Sequence, residues 1–275
     1  NVHRENVEKR LSNIEGGVSK LTWLIITALV VALMAFIIGG NTFNSTMANI
    51  QDYTLVIQRG LVLHLDASAL ESYPGSGTIW YDMSGKNNHG TLINGPTFSS
   101  NNQGYINIDG SNDYITIPYS SNWSFGTGEF TIEVWVYIVS VATPYQGIIG
   151  TFPSKWPASN WIVMTSTSSN AIRLYTNDGV YEGGVSNSGI VNGWMHGVVT
   201  RISNTVTLYV NGSLVDSSDF TNKSVNNSSE PLLIGNAGGT YGNMRISSVK
   251  VYKGIGFTSS MVTQNYNTQK SRFGL

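Results

Sequence analysis

The sequence predicts a mainly β protein, built as a two-sheet antiparallel sandwich behind a long N-terminal apolar α-helix. Two observations predict the sandwich: short runs of alternating apolar and polar residues follow one another from Arg59 onward, and polar turn clusters separate them. The helix is predicted because the 20 residues from Leu21 to Gly40 contain no charge. At 275 residues, the chain has room for one such domain and an appendage.

The apolar run has the length of a membrane-spanning or assembly helix. Its 20 residues would extend about 30 Å at ~1.5 Å per residue, which matches a bilayer core. Arg4, Lys9, Arg10 and Lys20 precede the run, and the next basic residue is Arg59, so the positive-inside rule puts the β-domain outside the cell. A cleaved signal peptide is disfavoured because the run is too long and "GGNTF" is a poor cleavage site.

Residues 1–20 predict an amphipathic helix with a heptad-like seam that continues into the apolar helix of residues 21–40. Small residues occupy the seam inside the apolar run, which allows close helix packing and predicts self-association. The seam comprises Val7, Leu11, Ile14, Val18, Leu21, Ile25, Ala28, Ala32, Ala35 and Gly39. A lone signal anchor is the alternative, since Gly16 and Gly17 weaken the first helix. Residues 41–58 are the predicted linker or stalk.

Two segments of the β region show its periodicity. In "FTIEVWVYI", residues 130–138, every second residue from Phe130 is apolar, and these residues share one face of the strand. The other face carries Thr131, Glu133, Trp135 and Tyr137. We expect the second face to be at least half-buried. In "TVTLYVNGSLV", an Asn-Gly pair at residues 211–212 separates two β-rich runs, which predicts a two-residue hairpin.

Residues 59–275 resemble the laminin-G-like branch of the concanavalin A-like lectin/glucanase superfamily. The resemblance rests on the order of several segments: "GLVLHLDAS", "WYDMSGKNNHGTL", "IDGSNDYITIP", "FTIEVWVYI", "WMHGVVTRISNTVTLYVNG" and "ISSVKVYKGIGFTSSMVTQNYNTQKSRFGL". It implies a jelly-roll sandwich that binds glycans or builds surface structures, with calcium in some relatives. The closing "QNYNTQKSRFG" is also similar to the ends of structural proteins of bacterial and archaeal viruses. The front "VEKRLSNIEGGVSKLTWLI" is similar to small phage membrane proteins.

The sequence carries no catalytic signature. Glucanases of the superfamily place a general acid and a nucleophile about 5.5 Å apart on one strand, whereas the strand that resembles theirs offers Glu133 alone. His3, His64, His89 and His196 lack zinc-ligand spacing, and we expect a packing role for His196. The chain has no Cys and no G-x-S-x-G elbow. We therefore expect a protein that is not an enzyme, with a glycoside hydrolase as a third alternative.

Oxygen ligands for calcium are offered by Asp82 in "YDMSGKNN" and by Asp109 and Asp113 in "DGSNDY". These residues also suit Asx-turns, which is the favoured interpretation. No cofactor is predicted with certainty, and calcium is the one candidate.

Glycan binding would use aromatic rings beside Asn or Asp, because ring faces stack on sugars while amides fix the hydroxyl groups. Two segments, "YQGIIGTFPSKWPASNW" and "NDGVYEGG", are richest in such residues. The candidates are Tyr145, Trp156, Asn160, Trp161, Asn177, Asp178 and Tyr181. Trp161 also fits a core position, since "NWIVM" has the composition of a strand, and Trp156 suits binding and loop packing equally.

Sequons for N-glycosylation also occur, and they matter only where a host has the machinery. They lie at Asn44, Asn122, Asn211, Asn222, Asn226 and Asn227.

The charge balance points to neutral ligands. With 15 basic and 16 acidic residues, the chain has no electrostatic footprint for nucleic acid. The sequence therefore predicts a surface-displayed adhesion or glycan-binding protein, anchored and oligomerised by its N-terminal helix, whose partners are other copies of itself, a membrane or assembly core, and a glycan. The alternative is a structural subunit of an extracellular filament or virion appendage, with apolar helices inside and β-domains outside.

Overall fold

The computed structural model describes most of the β region. The described residues are 57–140, 145–152, 160–166, 171–177, 181–185, 192–227 and 229–275. All lie in the second of the two units into which the chain divides, Leu55–Leu275. The predicted helices of residues 1–20 and 21–40, nearly all of the linker and every predicted oligomerisation position lie outside the described residues. Within the described ranges, no helix combines the length and the apolar character that crossing a bilayer requires.

Eighteen strands and one α-helix occur in the described ranges. In chain order the strands are β1 (Leu61–Asp66), β2 (Ile79–Trp80), β3 (Gly90–Ile93), β4 (Thr97–Ser99), β5 (Tyr105–Asp109), β6 (Tyr114–Ile117), β7 (Phe130–Ser140), β8 (Gly147–Gly150), β9 (Asn160–Ser166), β10 (Ala171–Asn177), β11 (Tyr181–Val185), β12 (Trp194–Ile202), β13 (Thr205–Val210), β14 (Ser213–Asp219), β15 (Leu232–Ile234), β16 (Asn236–Ala237), β17 (Thr240–Tyr241) and β18 (Asn243–Lys253). The helix α1 (Ser259–Gln269) follows, and a 3-10 turn over Lys270–Phe273 comes after it.

Two eight-stranded antiparallel sheets make up the sandwich. Sheet I has the order β14-β13-β12-β7-β18-β5-β4, with β1 also paired to β18, and sheet II has the order β11-β10-β9-β8-β15-β6-β3-β2. β16 and β17 form a separate two-stranded hairpin. This arrangement confirms the predicted mainly β, two-sheet antiparallel architecture and is consistent with a jelly-roll sandwich.

The core lies between the two sheets. β7 supplies Phe130, Ile132, Val134, Val136 and Ile138 to it, as the alternation predicts, and all five are buried. Sheet II supplies residues of the same kind from strands such as β9 and β10. Burial of these alternating residues fixes the register of β7, because a one-residue slip would turn them all away from the core.

The hairpin predicted at Asn211 and Gly212 is present between β13 and β14. Both residues have positive φ, 51° and 77°, as a type I′ turn requires. The Asn211 side chain also accepts a hydrogen bond from the backbone N–H of His196 at 2.9 Å, which ties the turn to β12.

The outer face of sheet I is covered by the C-terminal segment. Phe257 and Val262 pack with Tyr252 of β18, and the Phe273 ring stacks on Trp135 of β7 with centroids 4.1 Å apart. We call this region, the outer surface of sheet I beneath α1 and the 3-10 turn, the covered face. Glu133 is consequently only 1% exposed, which agrees with the expectation that the second face of β7 is at least half-buried.

Candidate functional site

A polar cluster lies at the centre of the covered face. It consists of Glu133 on β7, His196 on β12, Lys250 on β18 and Asn265 on α1. Lys250 is the direct cross-strand partner of Glu133, and its Nζ lies 3.1 Å from Glu133 Oε1. Asn265 Nδ2 donates to Glu133 Oε2 at 2.6 Å, and His196 Nε2 lies 3.3 Å from Oε1. All four side chains are at most 1% exposed.

The electrostatics of the cluster keep Glu133 ionised. Burial alone would raise the pKa of its carboxyl, but the charge of Lys250 and contacts with His196 and Asn265 outweigh it and hold the pKa well below its usual range. A general acid of a glycosidase needs the opposite shift, a pKa raised towards neutral. Glu133 is therefore unsuited to that role.

A second ion pair fastens the end of the chain to the same face. Arg272 in the 3-10 turn contacts both carboxylate oxygens of Asp66 on β1, at 3.1 and 3.2 Å, and its Nη2 also donates to Ser247 Oγ at 2.8 Å. Burial opposes ionisation of Asp66, yet the Arg272 charge, with smaller contributions from His64 and Lys250, lowers the pKa of this carboxyl to about 2. The bidentate geometry is the strong form of such a pair.

The two carboxylates of the covered face do not form a hydrolytic pair. β18 lies between β7 and β1, so Glu133 and Asp66 sit on strands about 10 Å apart at the usual strand spacing, beyond the ~5.5 Å of a retaining glycosidase. Each is buried and engaged with a cation. A substrate would have to displace Asn265 of α1 to reach Glu133 and Arg272 of the 3-10 turn to reach Asp66.

Asp82, a calcium candidate, organises its own loop. Its Oδ1 accepts the backbone N–H groups of His64 and Ser84, and its Oδ2 accepts Ser84 Oγ–H and the N–H of Asn88, all between 2.8 and 2.9 Å. Four donors occupy the lone pairs that a metal would need. Within the ranges that the structure describes, no group of three His, Cys, Asp or Glu side chains is placed to hold a metal ion.

The other two calcium candidates lie at one end of the sandwich, where three connections meet. Asp109 ends β5 and accepts the N–H of Ser111 in an Asx-turn at 2.8 Å. Asp113 is buried, and burial followed by the nearby charge of Asp109 raises the pKa of its carboxyl. Asn94, from the β3–β4 connection, donates to the Asn112 carbonyl at 2.9 Å.

Two tyrosines complete this end of the molecule. Tyr114 begins β6, and its ring centroid lies 6.1 Å from that of Tyr241 on β17, with the planes tilted by 40°. Asn243, two residues after Tyr241, pairs with Asp109 across β18 and β5. Both rings are half-exposed. We call the site formed by Asn94, Asp109, Asn112, Asp113, Tyr114 and Tyr241 the loop corner.

The structure separates the glycan-binding candidates that the sequence grouped together. Tyr145 is exposed and precedes Gln146, whose carbonyl accepts the N–H of Thr165 near the end of β9. Asn160, at the start of β9, is buried, and its backbone pairs with Asn177 of β10. Thr165 and Asn160 are five residues apart along β9, which is about 17 Å at ~3.3 Å per residue.

The remaining candidates lie in the core, at the start of β11 or outside the described residues. Trp161 is fully buried and donates its indole N–H to the Trp123 carbonyl at 2.7 Å, in agreement with the core alternative. Tyr181 begins β11 opposite Thr176. Trp156 and Asp178 lie outside the described residues.

The described sequons differ in exposure. Asn222 is exposed, whereas the amide of the buried Asn227 donates to the Glu230 carbonyl and accepts the Glu230 N–H. Asn122 and Asn226 are half-buried. Asn211 uses its side-chain oxygen to hold the turn after β13, and Asn44 lies outside the described residues. Of these sites, Asn222 offers the most accessible amide.

The fold and its sequence pattern identify the family. A laminin-G-type family model of the concanavalin A-like lectin/glucanases superfamily matches residues 109–255, just over half of the chain. The chain belongs to this superfamily. No curated protein sequence matches it significantly.

Solved structures with the same fold include domains of bacterial toxins. The ligand-binding domain of botulinum neurotoxin serotype D, solved with N-acetylneuraminic acid, has 15% identity and a TM-score of 0.62, over 78% of this chain and 52% of that one. The binding domain of Paraclostridial mosquitocidal protein 1 has 16% identity and a TM-score of 0.58, over 76% and 52%. Trypanosoma rangeli sialidase has 16% identity and a TM-score of 0.56, over 78% and 33%. This chain thus matches about half or less of each neighbour's length, and the likeness is one of fold.

Proposed function

We propose that the β-domain is a non-enzymatic glycan-binding module displayed outside the cell. The observation that carries the proposal is the loop corner. The half-exposed rings of Tyr114 and Tyr241 lie 6.1 Å apart there, Tyr114 directly follows Asp113, and the strand after Tyr241 pairs with Asp109. Aromatic faces and a few convergent polar groups are the usual components of a sugar site. The superfamily, and a neighbour solved with N-acetylneuraminic acid, support this class of ligand.

The charge of the loop corner favours neutral glycans. Burial and the charge of Asp109 raise the pKa of Asp113, so a further negative charge on a ligand beside these two carboxylates would be repelled. Sugar hydroxyl groups donate hydrogen bonds to carboxylates and would compensate the burial of Asp113. We therefore infer that uncharged hexose-containing glycans bind in preference to sialylated ones.

The test is an array of neutral and sialylated glycans probed with the full-length chain. Tyr114→Ala and Tyr241→Ala should each weaken binding of a neutral glycan about tenfold, a loss of roughly 1.4 kcal/mol. Tyr119→Ala is the matched control, because Tyr119 is an exposed tyrosine beyond the opposite end of β6. Binding that survives both corner variants but is lost in Trp156→Ala would move the site to the candidates predicted from sequence.

We further propose that residues 1–40 hold copies together at a surface, as a membrane anchor or, alternatively, as the core of a filament or virion appendage. The heptad seam and the uncharged run of residues 21–40 support this second part of the proposal. Electron microscopy of the native full-length protein tests it. Filaments or particle-bound projections would favour the structural subunit, separate projections on vesicles the anchored adhesin, and dispersed monomers would contradict both.

A further inference from the structure

Lys250 and Asn265 meet at the two oxygens of one carboxylate. Lys250 Nζ lies 3.1 Å from Glu133 Oε1, and Asn265 Nδ2 lies 2.6 Å from Glu133 Oε2. Lys250 comes from β18 and Asn265 from α1, so Glu133 bridges an amine and a side-chain amide that belong to different elements. An amine, an amide and a carboxylate held together in this way contain every group needed for amide exchange.

The surroundings of these three groups favour such a reaction. Each is at most 1% exposed. Tyr252 interacts with both Glu133 and Asn265, and it belongs to a buried cluster that also contains Phe257 and Val262. Asn265 Oδ1 accepts the backbone N–H of Ile57 at 3.5 Å, a donor placed where negative charge would develop on the amide oxygen. A water-excluded site also protects the amide from hydrolysis.

We propose that Lys250 and Asn265 become joined by an intramolecular isopeptide bond, with Glu133 carrying the protons. The site is distinct from the loop corner, and the proposal does not depend on glycan binding. The bond would fasten α1 to sheet I in a chain that contains no Cys and therefore no disulfide.

The reaction balances with the groups present. The resting pair is the Lys250 ammonium and the Glu133 carboxylate, 3.1 Å apart. Transient transfer of one proton within this pair gives the neutral amine, which attacks Cγ of Asn265. Glu133 returns that proton to Nδ2 as the Cγ–Nδ2 bond breaks. The new amide nitrogen loses its second proton through the carboxylate to the departing ammonia. The products are one Lys250–Asn265 amide and one ammonium ion, and Glu133 is again a carboxylate with His196 Nε2 3.3 Å away.

The decisive experiment is mass spectrometry of the full-length wild-type chain. The intact mass should be lower than the sequence mass by one ammonia. Trypsin should yield a branched product in which the peptide of residues 246–253, uncleaved after Lys250, is attached to the peptide of residues 254–270. Succinimide formation at Asn211-Gly212 would remove the same mass, so the branched peptide decides.

Variants assign the roles. Lys250→Arg keeps the positive charge and Glu133→Gln keeps the side-chain size, and both should abolish the mass deficit completely. Gln269→Ala is the matched control, since Gln269 is a buried amide on α1, one turn beyond Asn265, and should keep the deficit. A wild-type chain with its full sequence mass, or a deficit without the branched peptide, would overturn the proposal whether or not any variant folds.

Discussion

Two pairs of carboxylates in this molecule have opposite surroundings. On the covered face, Glu133 and Asp66 are each bound to a cation, and the pKa of each carboxyl is lowered. At the loop corner, burial raises the pKa of Asp113, and the charge of the neighbouring Asp109 raises it further. The same chemical group therefore fastens the fold in one place, whereas in the other its ionised form is disfavoured by burial and by a like charge. The comparison teaches that the partners of an acidic residue, more than its presence, indicate whether it serves stability or binding.

The largest effect is expected on the covered face. Asp66→Ala leaves the buried Arg272 charge without its carboxylate, and breaking a buried pair in this way costs about 3–5 kcal/mol of unfolding free energy. Urea unfolding followed by tryptophan fluorescence measures it. Glu71→Ala, which removes an exposed carboxylate, should change stability by less than about 0.5 kcal/mol. Equal losses of unfolding free energy in the two variants would contradict the stabilising role of the buried Asp66–Arg272 pair.

Acid should weaken the covered face before it affects the loop corner. Burial, helped by the charge of Lys250, lowers the pKa of His64 from 6.5 to about 4, although Asp66, Glu133 and Asp82 oppose the shift. The folded state therefore keeps His64 neutral, and its contribution is present above pH 6.5 and lost as the pH falls towards 4. The difference corresponds to about 3 kcal/mol.

Unfolding free energies measured between pH 7 and pH 4 test this expectation. The wild type should lose stability across that window, and His64→Gln should lose about 3 kcal/mol less. His89→Gln is the control, because His89 lies in a partly exposed loop. If the unfolding free energy of His64→Gln depended on pH as that of the wild type does, a group other than His64 would be responsible for the loss of stability.

The smallest effect is expected at the loop corner. Asp109→Asn removes the like charge beside Asp113, so the pKa of Asp113 should fall towards its ordinary value. Because the ionised form is then less disfavoured, stability at neutral pH should rise, by less than about 1 kcal/mol. NMR titration of the Asp113 carboxyl carbon measures the shift. An unchanged or higher pKa would show that the two carboxylates do not interact.

The sandwich could be predicted from sequence because alternation is a local signal. Each alternating run encodes one buried face, and the Asn211-Gly212 turn needs only its own two residues to adopt positive φ. The cover over sheet I could not be predicted in this way. Helix α1 buries Asn265 and Gln269 beside Val262, so it lacks the apolar stripe by which helices are recognised.

Only part of the candidate site could be predicted from the sequence. Asp109 and Asp113 stand in one short turn and can be found by composition, but Tyr241 reaches Tyr114 only through the fold. Trp161 shows the converse difficulty. An aromatic residue near Asn and Pro suits a binding loop, so its sequence context alone does not show that Trp161 is buried. The alternation of β9 shows it, because Trp161 shares a face with the buried Val163.

The contacts of β1 with β18 and Arg272 also affect when β1 can fold during synthesis of the chain. β1 completes its contacts only when β18 and Arg272 are present, and Asp66 and Arg272 are 206 positions apart in the chain. In a chain emerging from the ribosome, β1 therefore lacks the strand partner that the structure gives it until β18 has been synthesised, about 180 residues later. Such long-range contacts slow folding and leave strand edges open to neighbouring chains. Residues 243–272 thus complete the contacts of β1, and a chain truncated before Arg272 should be more prone to aggregation.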